Sequence, residues 1–181
     1  MKPLPSSSRY AAWLALVRIL TGLMWLSHGV PKFTQSAAFM PPNGFMAMYV
    51  AHGLQTSAEP YHTFLATVVA PNLALFAELV RLGEVLVGLL LLLGALTRLG
   101  GLGGVLLTLN YISARGHLLS TTSFQSLDFG LLVLSLISLG LPTGRFFGVD
   151  ALLARAKRAP PVRAQFVEEP PLKGPTAPPN A

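Results

Sequence analysis

Several side chains able to carry charge, move protons or, in the case of Asn110, form strong hydrogen bonds sit inside long apolar runs of this chain: Arg18, His28, Glu78, Arg81, Glu84, Asn110, Arg115, His117 and Asp128. A charged group buried in lipid-like surroundings is expensive unless it finds a partner or water, which makes each of these a candidate for function. Taking Arg9, Arg98 and Arg145 as markers of one face, and a rise of about 1.5 Å per helical residue, sorts them into two layers. The deeper layer holds Arg18, Glu84 and Asn110, at roughly 14, 21 and 18 Å from that face on this rise. They are expected to meet as an Arg18–Glu84 ion pair with Asn110 hydrogen-bonded to one member. Such a group either fixes helix register or serves a substrate or proton. The outer layer, between about 25 and 30 Å on the same rise, holds His28, Glu78, Arg81, Arg115, His117 and Asp128. Glu78, Arg81 and Glu84 follow one another at i, i+3 and i+6, so they share a helix face and Arg81 is within reach of either carboxylate.

The histidines narrow the chemistry. His28, His52, His62 and His117 show no i, i+4 pair of the kind that holds zinc on a helix, so no intrinsic metal is expected. The absence of cysteine from the sequence removes thiolate metal sites, iron–sulfur clusters and thiol redox chemistry. A histidine that titrates near neutrality suits proton exchange or a hydrogen bond to a carbonyl better.

The elements that must position these residues are apolar helices. Of 181 residues, 52% are hydrophobic and 11% charged, against about 25% charged in a soluble domain. Four runs approach the roughly 20 residues a helix needs to cross a bilayer: residues 10–30, 73–96, 99–117 and 124–141. The expected fold is all-α, an integral membrane four-helix bundle occupying residues 1–145, followed by a basic helix and Pro-rich tail over 146–181. The second and third runs are separated by Thr97 and Arg98 alone, which demands a tight antiparallel hairpin. Gly100, Gly101, Gly103 and Gly104 read as positions of close helix approach and not as a phosphate-binding loop. The first run is too long for a secretory leader and lacks a small-residue cleavage site.

Basic residues flank the runs. Lys2, Arg9, Arg98, Arg145, Arg155, Lys157, Arg158, Arg163 and Lys173 assign both termini and the hairpin to the cytoplasm. The net charge of +6 is therefore spent on topology, and nucleic acid is not an expected partner. The outward segment 31–72 is rich in apolar and aromatic residues and is expected to form one or two short interfacial helices, divided at Pro41-Pro42-Asn43-Gly44 and at Glu59-Pro60. A basic helix near residues 149–158 would lie on the cytoplasmic membrane face.

Particular residues resemble the DoxX/DoxD family. Ser27-His28-Gly29-Val30-Pro31-Lys32-Phe33 is similar to the family's close of the first helix. Leu16-Val17-Arg18-Ile19-Leu20-Thr21-Gly22 resembles its arginine-bearing start. Glu84-Val85-Leu86-Val87-Gly88, followed by Leu93-Gly94-Ala95-Leu96-Thr97-Arg98, resembles its second-helix signature. The resemblance covers roughly residues 14–141. It implies a four-helix membrane fold in a bacterial or archaeal cytoplasmic membrane and a family that includes the DoxD subunit of thiosulfate:quinone oxidoreductase. The expected function is that of a membrane subunit of a quinone-linked oxidoreductase, with a quinone head group near the outer leaflet. His28 would hydrogen-bond a quinone carbonyl, and Lys32, Arg115 and His117 would help hold the head group. Glu78, Arg81 and Asp128 would handle charge and protons. The alternative is an accessory subunit without catalysis, docked with other membrane or redox subunits; small-solute transport fits less well, because no inverted repeat is visible.

Overall fold

The structure is a computed structural model describing residues 6–116, 126–145 and 147–158. Among these residues the chain is helical throughout, with no strand. The first helix, α1 (Ser6–Gly29), stops where Pro31 starts a new turn, α2 (Pro31–Thr34), and α3 (Ser36–Phe39) follows. After the turn at residues 40–44 comes α4 (Phe45–Thr56), and after residues 57–60 comes α5 (Tyr61–Phe64). Both breaks fall at the Pro-containing turns expected from sequence.

From α5 the chain continues as one bent rod. A π turn over Leu65–Val69 and a 3-10 turn over Ala70–Asn72 lead into α6 (Leu73–Leu93). Pro71 lacks the N–H that an α-helix would donate one turn back, and the altered turns absorb that loss as a bend. The remaining helices are α7 (Thr97–Ala114), α8 (Leu127–Gly140) and, after a 3-10 turn at Thr143–Arg145, α9 (Val149–Arg158).

Helices α1, α6, α7 and α8 form a bundle in which α1 lies along α6, α6 beside α7 and α7 along α8, with α8 also touching α1. Its interior is built on Trp25, Val87, Leu91 and Leu131. Trp25 is wholly buried, and its indole N–H donates to Ser135 Oγ across 3.3 Å. Gly22 and Gly88 set the α1–α6 separation: a Cβ at Gly22 would stand 2.6 Å from the Leu92 nitrogen and 2.8 Å from the Gly88 carbonyl. Gly101 and Gly104 press in the same way on Leu139 and Ser135 of α8, so the glycine cluster serves packing.

Segment 31–72 caps one end of the bundle. Phe39, Met46, Val50, Leu65 and Val69 make an apolar core with Ala77 and Val80 of α6. Four α-helices, α2 to α5, build it together with the π and 3-10 turns, where one or two helices were expected. The opposite, basal end carries the α6–α7 link and α9. That link is residues 94–96, because Thr97 and Arg98 already belong to α7. Gly94 takes the left-handed conformation that ends α6, and Leu96 is left-handed as well, with φ 46°.

One helical stretch among the described residues, Tyr10–Thr34, is long and apolar enough by itself to cross a membrane. Helix α8 is apolar but shorter, and α6 holds Glu78, Arg81 and Glu84 within its 21 residues.

Candidate functional site

Beneath the cap, the end of α1 and the middle of α6 bring a buried charge pair together. The chain reverses at Pro31 and passes so close to α6 that a side chain on Gly29 would strike Val85 and the Glu84 Cβ. This turn carries Lys32 back over the bundle, where its Nζ reaches both Glu84 carboxylate oxygens at 2.5 Å. Glu84 is 1% exposed, whereas the Lys32 side chain is 21% exposed. From α7, Tyr111 donates its hydroxyl to Glu84 Oε1 at 2.7 Å. The Lys32 ammonium also lies 5.2 Å from the Phe39 ring centre and 5.8 Å from that of Tyr111, positions in which an aromatic face stabilises a cation.

Around this centre lie four further polar groups. Tyr61 of the cap donates to Asn110 Oδ1 at 2.5 Å, and burial raises the Tyr61 phenol to about 12. On α8, Asp128 is buried near the helix start, with Oδ2 at 3.0 Å from Arg115 Nη1. That oxygen makes no aligned hydrogen bond among the described residues. On the flank of α6, Arg81 binds the Glu78 carboxylate through Nε at 2.7 Å and through Nη2, donates from Nη1 to Ser36 Oγ at 3.2 Å, and rests 4.5 Å from the Phe33 ring centre. His28 has Nδ1 2.8 Å from the Met24 carbonyl oxygen of its own helix. Because a carbonyl oxygen only accepts, a hydrogen bond there puts a proton on Nδ1 and leaves Nε2 without a contact to its own helix. His117 and the connection at residues 118–123 lie outside the described residues.

The expected Arg18–Glu84 pair does not form. Arg18 Nη1 donates to the Thr143 carbonyl at 3.3 Å and Nη2 to the Phe147 carbonyl at 2.8 Å. Its guanidinium fills the space left by the missing side chains of Gly94 and Gly148. Gly94 and Glu84 are ten residues apart on one rod, or about 15 Å, so Arg18 belongs to the basal end and Glu84 to the cap side. The depth count fails because α1 runs past the level of the hairpin, and Arg9 is therefore a poor marker of its face. Asn110 likewise belongs to Tyr61 and not to an Arg18–Glu84 pair. Arg81 is bound to Glu78, so Glu84 is left to Lys32.

The basal end has its own polar centre, which sequence reasoning missed. Asp150 accepts from Leu96 N at 2.8 Å, Thr97 N at 3.0 Å and Thr97 Oγ1 at 2.5 Å, and its own N–H donates to the Gly94 carbonyl at 2.9 Å. A carboxylate facing the first N–H groups of α7 satisfies donors that no helical carbonyl can reach. Burial would raise the Asp150 carboxyl, but these donors and the Arg18 charge outweigh it and hold it below the usual range. The available signal was a single acid in an otherwise basic stretch. Tyr111 was missed too, although a tyrosine within an apolar run needs a partner for its hydroxyl.

Among the described residues no three His, Asp or Glu side chains gather as a metal-holding group. The chain's own equipment is therefore a partly exposed ammonium, a buried carboxylate and a phenol in one cluster, able to donate, accept and pass protons. No curated protein and no solved structure matches the chain. A family model described as "TQO small subunit DoxD" matches residues 13–163. That span contains α6 and α7 entirely, along with Lys32, Glu84, Tyr111 and Asp150, so the chain belongs to the DoxD family of membrane-associated oxidoreductase subunits.

Proposed function

We propose that this chain is the membrane subunit of a quinone-linked oxidoreductase, with α1, α6, α7 and α8 crossing the bilayer and a quinone head group bound beside Lys32, Glu84 and Tyr111 under the outward cap. Support for four crossings comes from the outer surface of the bundle. Leu16, Leu20 and Leu23 on α1, Leu79, Leu82, Leu86 and Leu89 on α6, Leu102 and Leu106 on α7, and Val133 and Leu136 on α8 are all exposed. Of the charged side chains of α6, Glu84 and Arg81 instead reach partners in the cap or the interior, and Glu78 is paired with Arg81. An apolar outside around a polar inside suits lipid as solvent.

The observation that carries the quinone reading is the Lys32–Glu84–Tyr111 cluster, because burying an ion pair in an apolar bundle gives little stability by itself. A quinone accepts two electrons and two protons as it becomes the hydroquinone. The residues present fit that need: the Lys32 ammonium has a third N–H beyond its contacts with the two Glu84 oxygens, Glu84 holds or releases a proton while accepting from Tyr111, and Asp128, paired with Arg115, is a further buried carboxylate. His28 Nε2, near the turn that carries Lys32, is a further polar group. The cysteine-free chain obtains its electrons from a partner subunit.

Titration of the purified protein in lipid nanodiscs with a short-chain quinone tests this reading. Glu84→Gln and Lys32→Met are expected to weaken binding at least tenfold, equivalent to about 1.4 kcal/mol, with a smaller loss for His28→Ala and none for Leu106→Ala on the exposed face. Unchanged affinity in Glu84→Gln and Lys32→Met removes the site. The accessory reading is favoured by the lack of any redox-active thiol; it predicts a stable stoichiometric complex with a partner and no quinone binding by the isolated chain.

A further inference from the structure

Helix α9 is attached to the bundle the wrong way round for a water-soluble protein. Its apolar residues Val149, Leu152, Leu153 and Ala156 follow the i, i+3, i+4, i+7 pattern of a single stripe. A soluble fold would turn that stripe inward. Here all four residues are exposed, Leu152 at 63% and Leu153 at 53%. The helix is held instead by its polar side: Asp150 grips the start of α7 through Leu96 and Thr97, with Ala151 and Ala154 partly covered. Gly144 is needed there, because a side chain on it would collide with the Thr97 hydroxyl and the Asp150 carboxylate.

Exposed cations lie on α9 and on the elements that pack next to it. Arg98 follows Thr97 on α7, Arg145 closes the preceding 3-10 turn and Arg155 is on α9 itself, all exposed. In the helical register Lys157, four residues after Leu153, borders the apolar stripe, and Arg158 takes a position away from it. Phe147, 74% exposed, precedes the helix, while Leu96 and Leu99 are exposed beside Arg98.

We propose that α9 is an interfacial helix selective for anionic phospholipid, held parallel to the leaflet by the Asp150–Thr97 clamp with its Val149/Leu152/Leu153/Ala156 stripe among the acyl chains. Apolar stripe, flanking aromatic and neighbouring cations together match a membrane surface, and the cations match phosphate-bearing headgroups. The inference rests on the bundle crossing the bilayer. It adds a lipid-recognition surface at the basal end, away from the Lys32–Glu84 cluster.

Because the chain has no native cysteine, single nitroxide labels can be placed on the full-length protein. Leu153→Cys and Arg155→Cys report on α9, and Leu86→Cys reports on the exposed belt of α6. In nanodiscs of phosphatidylglycerol, the Leu153 label is expected to be shielded from a water-soluble relaxation agent and accessible to oxygen, with the Arg155 label in water. Replacing Arg155, Lys157 and Arg158 by Gln is expected to weaken the partition of α9 about fivefold per charge removed, and phosphatidylcholine discs should weaken it likewise. An aqueous Leu153 label beside a lipid-exposed Leu86 label overturns the proposal and leaves the bundle reading standing. Aqueous labels at both positions overturn both. Shielding of Leu153 seen only in discs holding two chains assigns the stripe to a second copy and also overturns the proposal, as does equal shielding in the two lipids.

Discussion

The Lys32–Glu84 pair permits a sharp energetic test, since its two members differ in burial. Lys32→Met keeps the aliphatic stem and removes the ammonium, leaving a Glu84 carboxylate that is 1% exposed. Stranding a buried charge costs about 3–5 kcal/mol. The surviving Tyr111 hydroxyl bond puts the expected loss at the low end, about 3 kcal/mol. Glu84→Gln strands the ammonium instead, but the Lys32 side chain is 21% exposed and lies near the Phe39 ring. Water and the ring both reduce that penalty, to about 2 kcal/mol. In the double variant nothing charged remains, and a neutral pair of similar volume is expected within about 1 kcal/mol of the parent. The coupling is then about 4 kcal/mol. At about 2–4 °C per kcal/mol for a chain of this size, Lys32→Met lowers the midpoint by roughly 6–12 °C and the second substitution restores most of it. Thermal unfolding in nanodiscs, followed by circular dichroism over the four proteins, provides the measurement. Losses that simply add, with the double variant worse than either single one, mean that the two groups do not interact and refute the buried pair.

Helix spacing gives a second test: Gly22→Ala drives a methyl into the α6 backbone and should cost about 1–3 kcal/mol, whereas Gly130→Ala meets nothing within 4 Å and should be neutral or slightly stabilising. Equal midpoints for the two variants would show that α1 and α6 are not in close contact at Gly22. For the basal clamp, Asp150→Asn should speed trypsin cleavage at Arg155 by loosening α9. The Asp150 carboxyl is held below its ordinary value of 3.8, so its contribution is whole above that pH and fades as the pH falls through the lowered folded value. Protection of the α9 amides, corrected for the pH dependence of intrinsic exchange, should thus match between pH 7 and 5 and fall below about pH 4; a fall already at pH 6 contradicts the assignment. At the cap, burial holds the Tyr61 phenol near 12, so its stabilising effect is complete below the unfolded value of about 10 and is lost as pH climbs toward 12. The phenolate absorbance removed by Tyr61→Phe should therefore appear near pH 12, and its appearance near pH 10 would show that the hydroxyl is not buried against Asn110.

Much of the helical order was legible because apolar runs and proline turns are local signals. The runs at residues 10–30 and 73–96 became α1 and α6, and the breaks at residues 41–44 and 59–60 follow from proline and glycine chemistry. Boundaries were less legible: Thr97 and Arg98 read as a link, yet the link is Gly94 to Leu96. The reason is remote. Leu96 is held left-handed next to an α7 start whose free N–H groups bind Asp150, more than fifty residues later. No local propensity announces that contact.

Polar partners were the least legible part, and the cause is physical. In lipid, apolar faces gain little by matching one another, so leucine-rich helices do not fix their own axial offset. An offset error of about five residues on α1, added to the roughly 7 Å already expected between them, separates Arg18 from Glu84 completely. What fixes the offset are ties between distant segments: Lys32 to Glu84, Tyr61 to Asn110, Arg18 to the Phe147 carbonyl and Asp150 to Thr97. Two of these fasten the cap and two fasten the C-terminal segment. They differ in one respect that bears on function. Arg18 and Asp150 meet backbone groups or a hydroxyl and hold chain segments in place. The Lys32–Glu84 tie joins two ionisable side chains, beside a tyrosine, where the bundle meets its apolar cap. A tie needed only for register could be made more cheaply with a neutral hydrogen bond, as Tyr61 and Asn110 make one, and the retention of two charges at that depth is the reason to look there for proton-coupled chemistry.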